Sequence, residues 1–323
     1  MDPLVPIPLT AIEEARDRIA GAAIKTPLLP LNLPDAPCEI WLKAECLQLI
    51  GSFKIRGAAN AMALADQAEL QRGVYTASAG NMAQGVAFNA QRRGIPCRVV
   101  VPETAPQTKL TAIARLGATA VSVPFDEWWS VIRDHGHPLE KGFFVHPVSD
   151  PAVIAGNGTI GLEILEELPD VDAVIVPYGG GGLSCGIGSA LKTLRPDIRV
   201  FAAEVETASP FAASLAAGEA VEVARTPTFI DGIGGKGVLR EIWPLASSLL
   251  DGSIVVSVEQ VCSAIRILVS HAHLVAEGAG GTSVAAALTG MAGKGKVVAV
   301  VSGGNLDPAT LKIILEGNIP PLP

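Results

Sequence analysis

Short, almost continuously apolar segments recur along the chain, separated by longer helical patterns. Residues 173–177 (AVIVP) and 297–301 (VVAVV) are apolar at nearly every position, which is typical of parallel strands covered on both faces. Because parallel neighbours need a crossover connection, a helix is expected between successive strands. The pattern predicts an α/β protein with mostly parallel sheets.

The alternation of strands and helices falls into two series along the 323 residues. The first series covers residues 73–123, and the second begins after residue 150. A chain of this length usually forms two domains or one large one. We therefore predict two lobes, each with a mostly parallel sheet flanked by helices: a smaller lobe of residues 47–148, inserted into a larger lobe of residues 1–46 and 149–323.

Composition excludes several classes of protein. Hydrophobic residues make up 49% of the chain and charged residues 17%, which is incompatible with disorder. The net charge of −8 and the lack of a basic cluster argue against nucleic-acid binding. The apolar runs stop well short of the ~20 residues of a membrane helix, and the N-terminus does not have the charge pattern of a signal peptide. We expect a cytoplasmic protein.

The cysteines are five in number and form no C-x-x-C pair. An odd number without such spacing argues against a disulfide framework and against a structural zinc site. Small, buried, reduced thiols are expected instead.

The strongest glycine signal is the turn of residues 179–182, which follows an apolar strand and precedes a helical pattern. Glycine allows the backbone to approach an anion closely, and successive N–H groups beside a helix N-terminus bind phosphate. A dinucleotide site is the competing interpretation, because Glu204 ends the next strand about 20 residues on. However, the turn lacks G-x-G-x-x-G spacing, with Ser184 at a position where that pattern needs glycine.

A second signal is the segment GSFKIRG of residues 51–57. Ser52 is a candidate N-cap for the alanine-rich pattern that follows, which puts Lys54 in the first helical turn. The helix dipole disfavours a cation there, so the site favours a neutral amine suited to Schiff-base or proton-transfer chemistry. By itself the signal is weak, because most helical lysines are solvated.

Two further segments follow predicted strands. Residues 78–85 (SAGNMAQG) could hold a carboxylate at a helix start, and residues 302–305 (SGGN) lie where the last strand ends. Ligands of open α/β sheets bind beyond the carboxyl ends of the strands. We expect these segments and the glycine turn to meet in one crevice.

Together these motifs resemble the serine/threonine dehydratase family of fold type II pyridoxal-phosphate enzymes. The resemblance covers residues 24–305 and rests on GSFKIRGA, SAGNMAQG, IAGNGTIGLEIL, GGGGL, VAEGAG and SGGN in family order. It implies a two-lobed, tryptophan synthase beta-like fold and pyridoxal 5'-phosphate as the cofactor. It also implies a homodimer and a lyase that removes water and then ammonia from a hydroxy amino acid.

The resemblance also assigns roles to residues. Lys54 binds the cofactor aldehyde and takes the proton from the substrate Cα. Asn81 bonds the 3′-oxygen of the cofactor, the glycine turn holds its phosphate and Ser302 bonds its ring nitrogen. The implied cofactor contacts are Lys54, Phe53, Asn81, Gly179, Gly180, Gly181, Gly182, Leu183, Glu277 and Ser302. The implied substrate contacts are Ser78, Ala79, Gly80, Asn81, Met82 and Val148.

Departures from the family pattern refine these expectations. Racemases of the family have a second serine where this chain has Ala79, so elimination without racemisation is expected. Metal-binding members have an acidic residue where this chain has Pro210, although Glu204 and Ala208 match, so no metal site is predicted. The chain ends about where the catalytic core ends, so no regulatory domain is expected.

Pocket positions differ as well and lose polarity or bulk. The differing positions are Leu49, Ile50, Met82, Val148 and Gly161. They favour a bulky apolar substrate such as L-threo-3-phenylserine, which would give phenylpyruvate. The alternatives are an ordinary L-threonine or L-serine dehydratase and, from a different class, an NAD- or nucleotide-binding protein.

Overall fold

The computed structural model describes residues 3–138 and 140–321. The strands are β1 (Leu28–Pro30), β2 (Glu39–Lys43), β3 (Val74–Ala77), β4 (Cys97–Pro102), β5 (Thr119–Val123), β6 (Phe143–Phe144), β7 (Ala173–Pro177), β8 (Arg199–Val205), β9 (Gly252–Val256) and β10 (Lys296–Val300). The helices are α1 (Leu9–Ile19), α2 (Lys54–Leu64), α3 (Gln67–Gln71), α4 (Asn81–Arg93), α5 (Gln107–Arg115), α6 (Phe125–Arg133), α7 (Pro151–Glu167), α8 (Gly182–Leu194), α9 (Pro210–Ala217), α10 (Trp243–Leu249), α11 (Val258–Ile267), α12 (Gly278–Leu288) and α13 (Pro308–Leu315).

The larger sheet has six strands in the order β1-β2-β10-β7-β8-β9. Every neighbouring pair is parallel except β1 and β2, which pair antiparallel at one edge. The central strand β7 is buried at all five positions. Its alternate residues belong to two separate cores, with Val174 and Val176 on one face and Ala173 and Ile175 on the other. The continuous apolar pattern therefore has the predicted cause, a parallel strand covered on both faces.

The smaller sheet has four parallel strands in the order β5-β4-β3-β6. These strands lie between residues 74 and 144, whereas the strands of the larger sheet come from the segments on either side. The α/β class with two mostly parallel, helix-flanked sheets is thus confirmed. The lobe boundaries at residues 46/47 and 148/149 stay a prediction, and residues 1–2 and 322–323 of the predicted larger lobe lie outside the described ranges.

A buried cluster of charges joins α2 to the larger lobe. The guanidinium of Arg56 donates to both carboxylate oxygens of Glu45 and, at 2.6 and 2.9 Å, to those of Glu163 on α7. The ammonium of Lys43 also lies 2.7 Å from the Glu163 carboxylate. Removing one member of such a cluster leaves an uncompensated buried charge, which typically costs about 3–5 kcal/mol. The cluster therefore fixes the start of α2, the helix that begins with Lys54.

The described helices are all too short or too polar to cross a membrane. Residence in the cytoplasm and the absence of nucleic-acid partners stay predictions.

Candidate active site

A cleft of about 1230 Å³ opens between the two sheets. Its walls come from the carboxyl ends of strands in both, as expected for open α/β sheets. The predicted site residues line it without exception: Phe53, Lys54, Ser78, Ala79, Gly80, Asn81, Met82, Val148, Gly179, Gly180, Gly181, Gly182, Leu183, Glu277 and Ser302. The structure therefore brings together segments that are up to about 250 residues apart; their individual roles stay predictions.

Lys54 is the first residue of α2, in the first helical turn as predicted. The Ser52 hydroxyl accepts a hydrogen bond from the Lys54 backbone N–H at 3.3 Å. Nζ donates to the carbonyl oxygen of Pro147 at 2.7 Å and lies 5.2 Å from the centre of the Phe53 ring. Burial lowers the pKa of the Lys54 ammonium to about 8, against an opposing effect of the Glu277 charge. Loss of hydration is the main cause of this low pKa, and the contribution of the helix dipole stays a prediction.

The glycine turn has no room for side chains. A Cβ on Gly180 would lie 2.6 Å from the methyl groups of Val148, and one on Gly182 would lie 2.5 Å from the Val148 carbonyl oxygen. Gly181 has a φ of +93°, which glycine adopts without strain. Within the described residues, the backbone N–H groups of positions 179–184 donate no hydrogen bond. Unpaired N–H groups at the start of α8 fit the phosphate of pyridoxal phosphate.

Asn81 connects the two lobes at the cleft. Its amide nitrogen donates to Oε1 of Glu277 at 2.7 Å, and its Oδ1 accepts from Nδ2 of Asn305 at 2.8 Å. Burial, with a smaller contribution from the negative charge of Asp231, raises the pKa of Glu277 to about 7 against the opposing effects of the Asn81 hydrogen bond, Lys109 and Lys54. Glu277 can thus gain or lose its proton near neutral pH.

Ser302 follows β10, and its hydroxyl makes no hydrogen bond within the described residues. Its carbonyl oxygen accepts from the Phe53 N–H at 3.1 Å, which places the end of β10 beside the start of α2. On the other side of the cleft, the Gly80 N–H donates to the Ser78 hydroxyl at 3.2 Å, and α4 begins directly afterwards at Asn81. A free hydroxyl and a turn at a helix N-terminus thus face the same space.

Only two of the five residues from which a wide apolar pocket was predicted line the cleft. Met82 and Val148 are in its wall. Leu49 is 54% exposed and Ile50 is buried, both outside the wall. Gly161 faces Ile187 and Ala190 of α8 instead. Its small size serves the packing of α7 on α8, and the expectation that it shapes a substrate pocket is wrong.

Glu204 has hydrogen-bond partners that bear on two sequence interpretations. One carboxylate oxygen accepts from the Phe211 N–H at 2.8 Å, and the other accepts from the Ala212 N–H at 2.8 Å and the Ser253 hydroxyl at 2.6 Å. The carboxylate is occupied in holding the start of α9, with burial raising its pKa. These bonds leave it little capacity to bind a ribose, as the dinucleotide interpretation requires. The residues that the structure describes hold no group of three or more His, Cys, Asp or Glu arranged for a metal.

Several cleft residues were missed from the sequence. Lys109 on α5 pairs with Asp231 across the cleft, and the Pro147 carbonyl meets Lys54. Neither contact has a local sequence signal, because the partners are remote along the chain. Phe125 and Trp128 on α6 also line the cleft. Their three-residue spacing was a readable signal of a shared helix face.

Known proteins resemble this chain over most of its length. The family model described as pyridoxal-phosphate dependent enzyme matches residues 19–303. An L-threonine ammonia-lyase of Thermotoga maritima is 46% identical over 274 residues, which are 83% of this chain and 68% of the relative. The catabolic L-threonine dehydratase TdcB of Escherichia coli is 39% identical over 311 residues, covering 94% of each chain. The structure of maize serine racemase has a TM-score of 0.86 at 33% identity and covers 95% of this chain and 96% of its own.

These likenesses confirm the cofactor and the fold type that the motifs indicated. The alternative of an NAD-binding protein is wrong, because the matching family uses a different cofactor over nearly the whole chain. The chain belongs to the pyridoxal-phosphate-dependent enzymes and, within them, to the fold type II family of serine and threonine dehydratases.

Proposed function

We propose that the protein removes the β-hydroxyl group of an L-3-hydroxy amino acid and yields a 2-oxo acid and ammonia. The observation that carries the proposal is the Lys54 amine in the cleft, with its pKa lowered to about 8 opposite a glycine turn suited to phosphate. The two relatives named above as threonine ammonia-lyase and dehydratase support the same reaction.

In this proposal Lys54 moves the proton at the substrate Cα. An amine with a pKa near 8 is available as a free base close to neutral pH, which is what general-base catalysis needs. The Pro147 carbonyl, 2.7 Å from Nζ, orients the amine. Bound pyridoxal phosphate supplies the electron-withdrawing group that makes the Cα–H bond acidic.

Ser302 and Glu277 set the polarity around the ring in the proposal. Ser302 would hold the pyridine nitrogen without the negative charge by which a carboxylate keeps a proton there, so the bound cofactor would supply a weaker electron sink. Prompt loss of a β-leaving group is then favoured. Asn81, held by Glu277 and Asn305, orients the ring from the small-lobe side, and the 78–80 turn binds the substrate carboxylate.

The proposed cofactor attachment is tested by chemical trapping. Borohydride treatment of the loaded enzyme should bleach its visible band and leave the cofactor covalently on the peptide that contains Lys54. A reduced adduct on any other lysine would contradict the assignment of Lys54. A homodimer is also proposed, on the strength of the family resemblance, and sedimentation of the loaded enzyme tests it.

The finer proposal is that a bulky apolar substrate, L-threo-3-phenylserine, is preferred over threonine. Val148 and Met82 present apolar surface to the cleft. A buried phenyl group covers about 150–250 Å², which at about 25 cal/mol per Å² is at most about 4–6 kcal/mol of binding. Even with half of that lost, kcat/KM should favour phenylserine at least about tenfold.

L-Threonine or L-serine is the second candidate substrate, favoured by the names of the relatives. A side-by-side measurement of kcat/KM for threonine, serine and threo-phenylserine separates the two candidates. A higher kcat/KM for threonine or serine would exclude the phenylserine proposal and leave the dehydratase proposal intact. Absence of 2-oxo acid from all three substrates would exclude both.

A further inference from the structure

One face of α6 forms an apolar wall of the cleft. Phe125, Trp128 and Ile132 are spaced by three and four residues, so their side chains lie on the same side of the helix. All three line the cleft, whereas the neighbouring Trp129 does not and is 38% exposed. The rings of Phe125 and Trp128 are 5.5 Å apart and tilted by 45°, which is the geometry of a stable aromatic pair.

This wall ends close to the reactive lysine. The carbonyl oxygen of Ile132 lies 3.0 Å from Nε2 of His146. The next residue along the chain, Pro147, accepts the Lys54 hydrogen bond, and Val148 follows in the cleft wall. The α6 wall is therefore continuous with the segment that touches Lys54.

Trp128 lines the same cleft as the proposed carboxylate-binding turn. Its side chain packs on the small-lobe cluster that contains Ala77, the last residue of β3. The 78–81 turn begins immediately afterwards. A substrate whose carboxylate is held by this turn and whose Cα faces Lys54 would extend its β-substituent into the space lined by Val148 and the α6 wall.

We propose that Trp128 is the specificity-determining residue for the β-substituent and that its indole ring covers an aryl group there. The inference rests on the proposed dehydratase function and names the surface that selects its substrate. The indole Nε1 is enclosed and has no acceptor within the described residues. Among the described residues, no hydrogen-bond acceptor therefore holds the indole ring in another orientation. The apolar face of the ring is the surface available to a substrate.

Kinetics of the loaded enzyme test the inference with a matched pair of variants. Trp128→Ala should lower kcat/KM for threo-phenylserine by about tenfold or more while changing that for threonine less than threefold, because a methyl group has little contact to lose. Trp129→Ala removes the same side chain one position along the helix and should change neither value. Trp128→Leu, which keeps apolar volume for the small-lobe core, serves if Trp128→Ala fails to fold.

Binding without turnover gives a second readout. L-Phenylalanine has an aryl side chain but no β-hydroxyl to lose, so it serves as an unreactive probe. Its binding to the loaded enzyme should change the tryptophan emission of the wild type and of Trp129→Phe, and this change should be lost in Trp128→Phe. A change that persists unaltered in Trp128→Phe would overturn the inference.

The outcomes separate this inference from the proposed function. Turnover of both substrates with an unaltered phenylserine-to-threonine ratio in the Trp128 variants overturns the role of Trp128 alone. Turnover of threonine with none of phenylserine also overturns it and leaves the dehydratase standing. Failure of the wild type to release any 2-oxo acid would overturn the proposed function itself.

Discussion

Replacing Lys54 by methionine should change the pH dependence of folding stability in a predictable way. Methionine has similar length but no charge, so it removes the cation whose pKa falls from 10.5 to about 8 in the folded protein. At about 1.4 kcal/mol for each tenfold change in proton affinity, that lowering corresponds to about 3 kcal/mol. In cofactor-free protein at neutral pH, wild type carries this cost and the variant does not.

The sign follows from proton linkage. A lysine with a depressed pKa in the folded state contributes stability that is complete above the unfolded pKa of 10.5 and is lost as the pH falls through about 8. The free energy of unfolding of Lys54→Met, minus that of wild type, should therefore decrease by about 2.5 kcal/mol between pH 7 and pH 10. The lost hydrogen bond to Pro147 shifts this difference by a constant and does not change its slope.

Urea unfolding of the two cofactor-free proteins at several pH values measures the effect. Lys312→Met is the matched control for removal of a lysine charge, because Lys312 is a helical lysine whose side chain is 75% exposed. If the difference in free energy of unfolding between Lys54→Met and wild type does not change between pH 7 and pH 10, the argument from burial is refuted. In the loaded enzyme, Lys54→Met should also reduce turnover by at least about 10²–10⁴-fold through loss of the base.

Three further predictions concern the cleft. Asp231→Asn should lower the pKa of Glu277 below about 7, because the Asp231 charge raises it; infrared titration of the protonated carboxyl band measures the change. With Ala79 unable to supply a proton on the face opposite Lys54, incubation of L-serine should yield pyruvate without comparable D-serine, as chiral chromatography will show. Gly180→Ala should weaken cofactor binding about 5–150-fold, because the added methyl group overpacks the turn by about 1–3 kcal/mol. Gly235→Ala, whose added Cβ would have no atom closer than 3.8 Å, should leave the cofactor Kd unchanged.

Each of these predictions has an outcome that contradicts it. An unchanged or higher Glu277 pKa in Asp231→Asn would show that the Asp231 charge does not act on Glu277. D-Serine formation at a rate near that of pyruvate would show that another group protonates the far face. Equal cofactor affinity in the two alanine variants would show that the turn tolerates a side chain.

The parts of the fold that could be predicted are those whose sequence pattern reflects their own burial. β7 is apolar at every position, and β10 is apolar at every position after Lys296, because both faces of each strand are covered. β1 and β6, with three and two residues, are defined by the strands they pair with, and strands this short have no periodicity to read. At the helix starts, Asp150 caps α7 through its side chain, whereas α8 follows Gly181 without a side-chain cap.

The site could be predicted to the extent that its residues lie in short continuous motifs. The glycine turn and the segment around Lys54 each have a local pattern whose chemistry is readable. The Pro147 carbonyl, by contrast, meets Lys54 only through the packing of the small lobe, and a backbone group has no signature in the sequence. Ion pairing between Lys109 and Asp231 likewise joins residues of no distinctive local pattern.

Val148 affects both the predicted substrate site and the predicted phosphate site, because its side chain lines the cleft and also packs against Gly180. The sequence assigned Val148 to the substrate and Gly180 to the phosphate, but the Val148 methyl groups occupy the space that a Gly180 side chain would need. Val148→Phe therefore has two separable effects: a ring that turns into the cleft excludes phenylserine, and a ring that presses on the turn weakens the cofactor. Measuring the cofactor Kd beside kcat/KM tells them apart, because selective loss of phenylserine turnover at an unchanged Kd assigns Val148 to the substrate. Equal losses for threonine and phenylserine with a weaker Kd would assign it to the phosphate turn and remove one support of the aryl-substrate proposal.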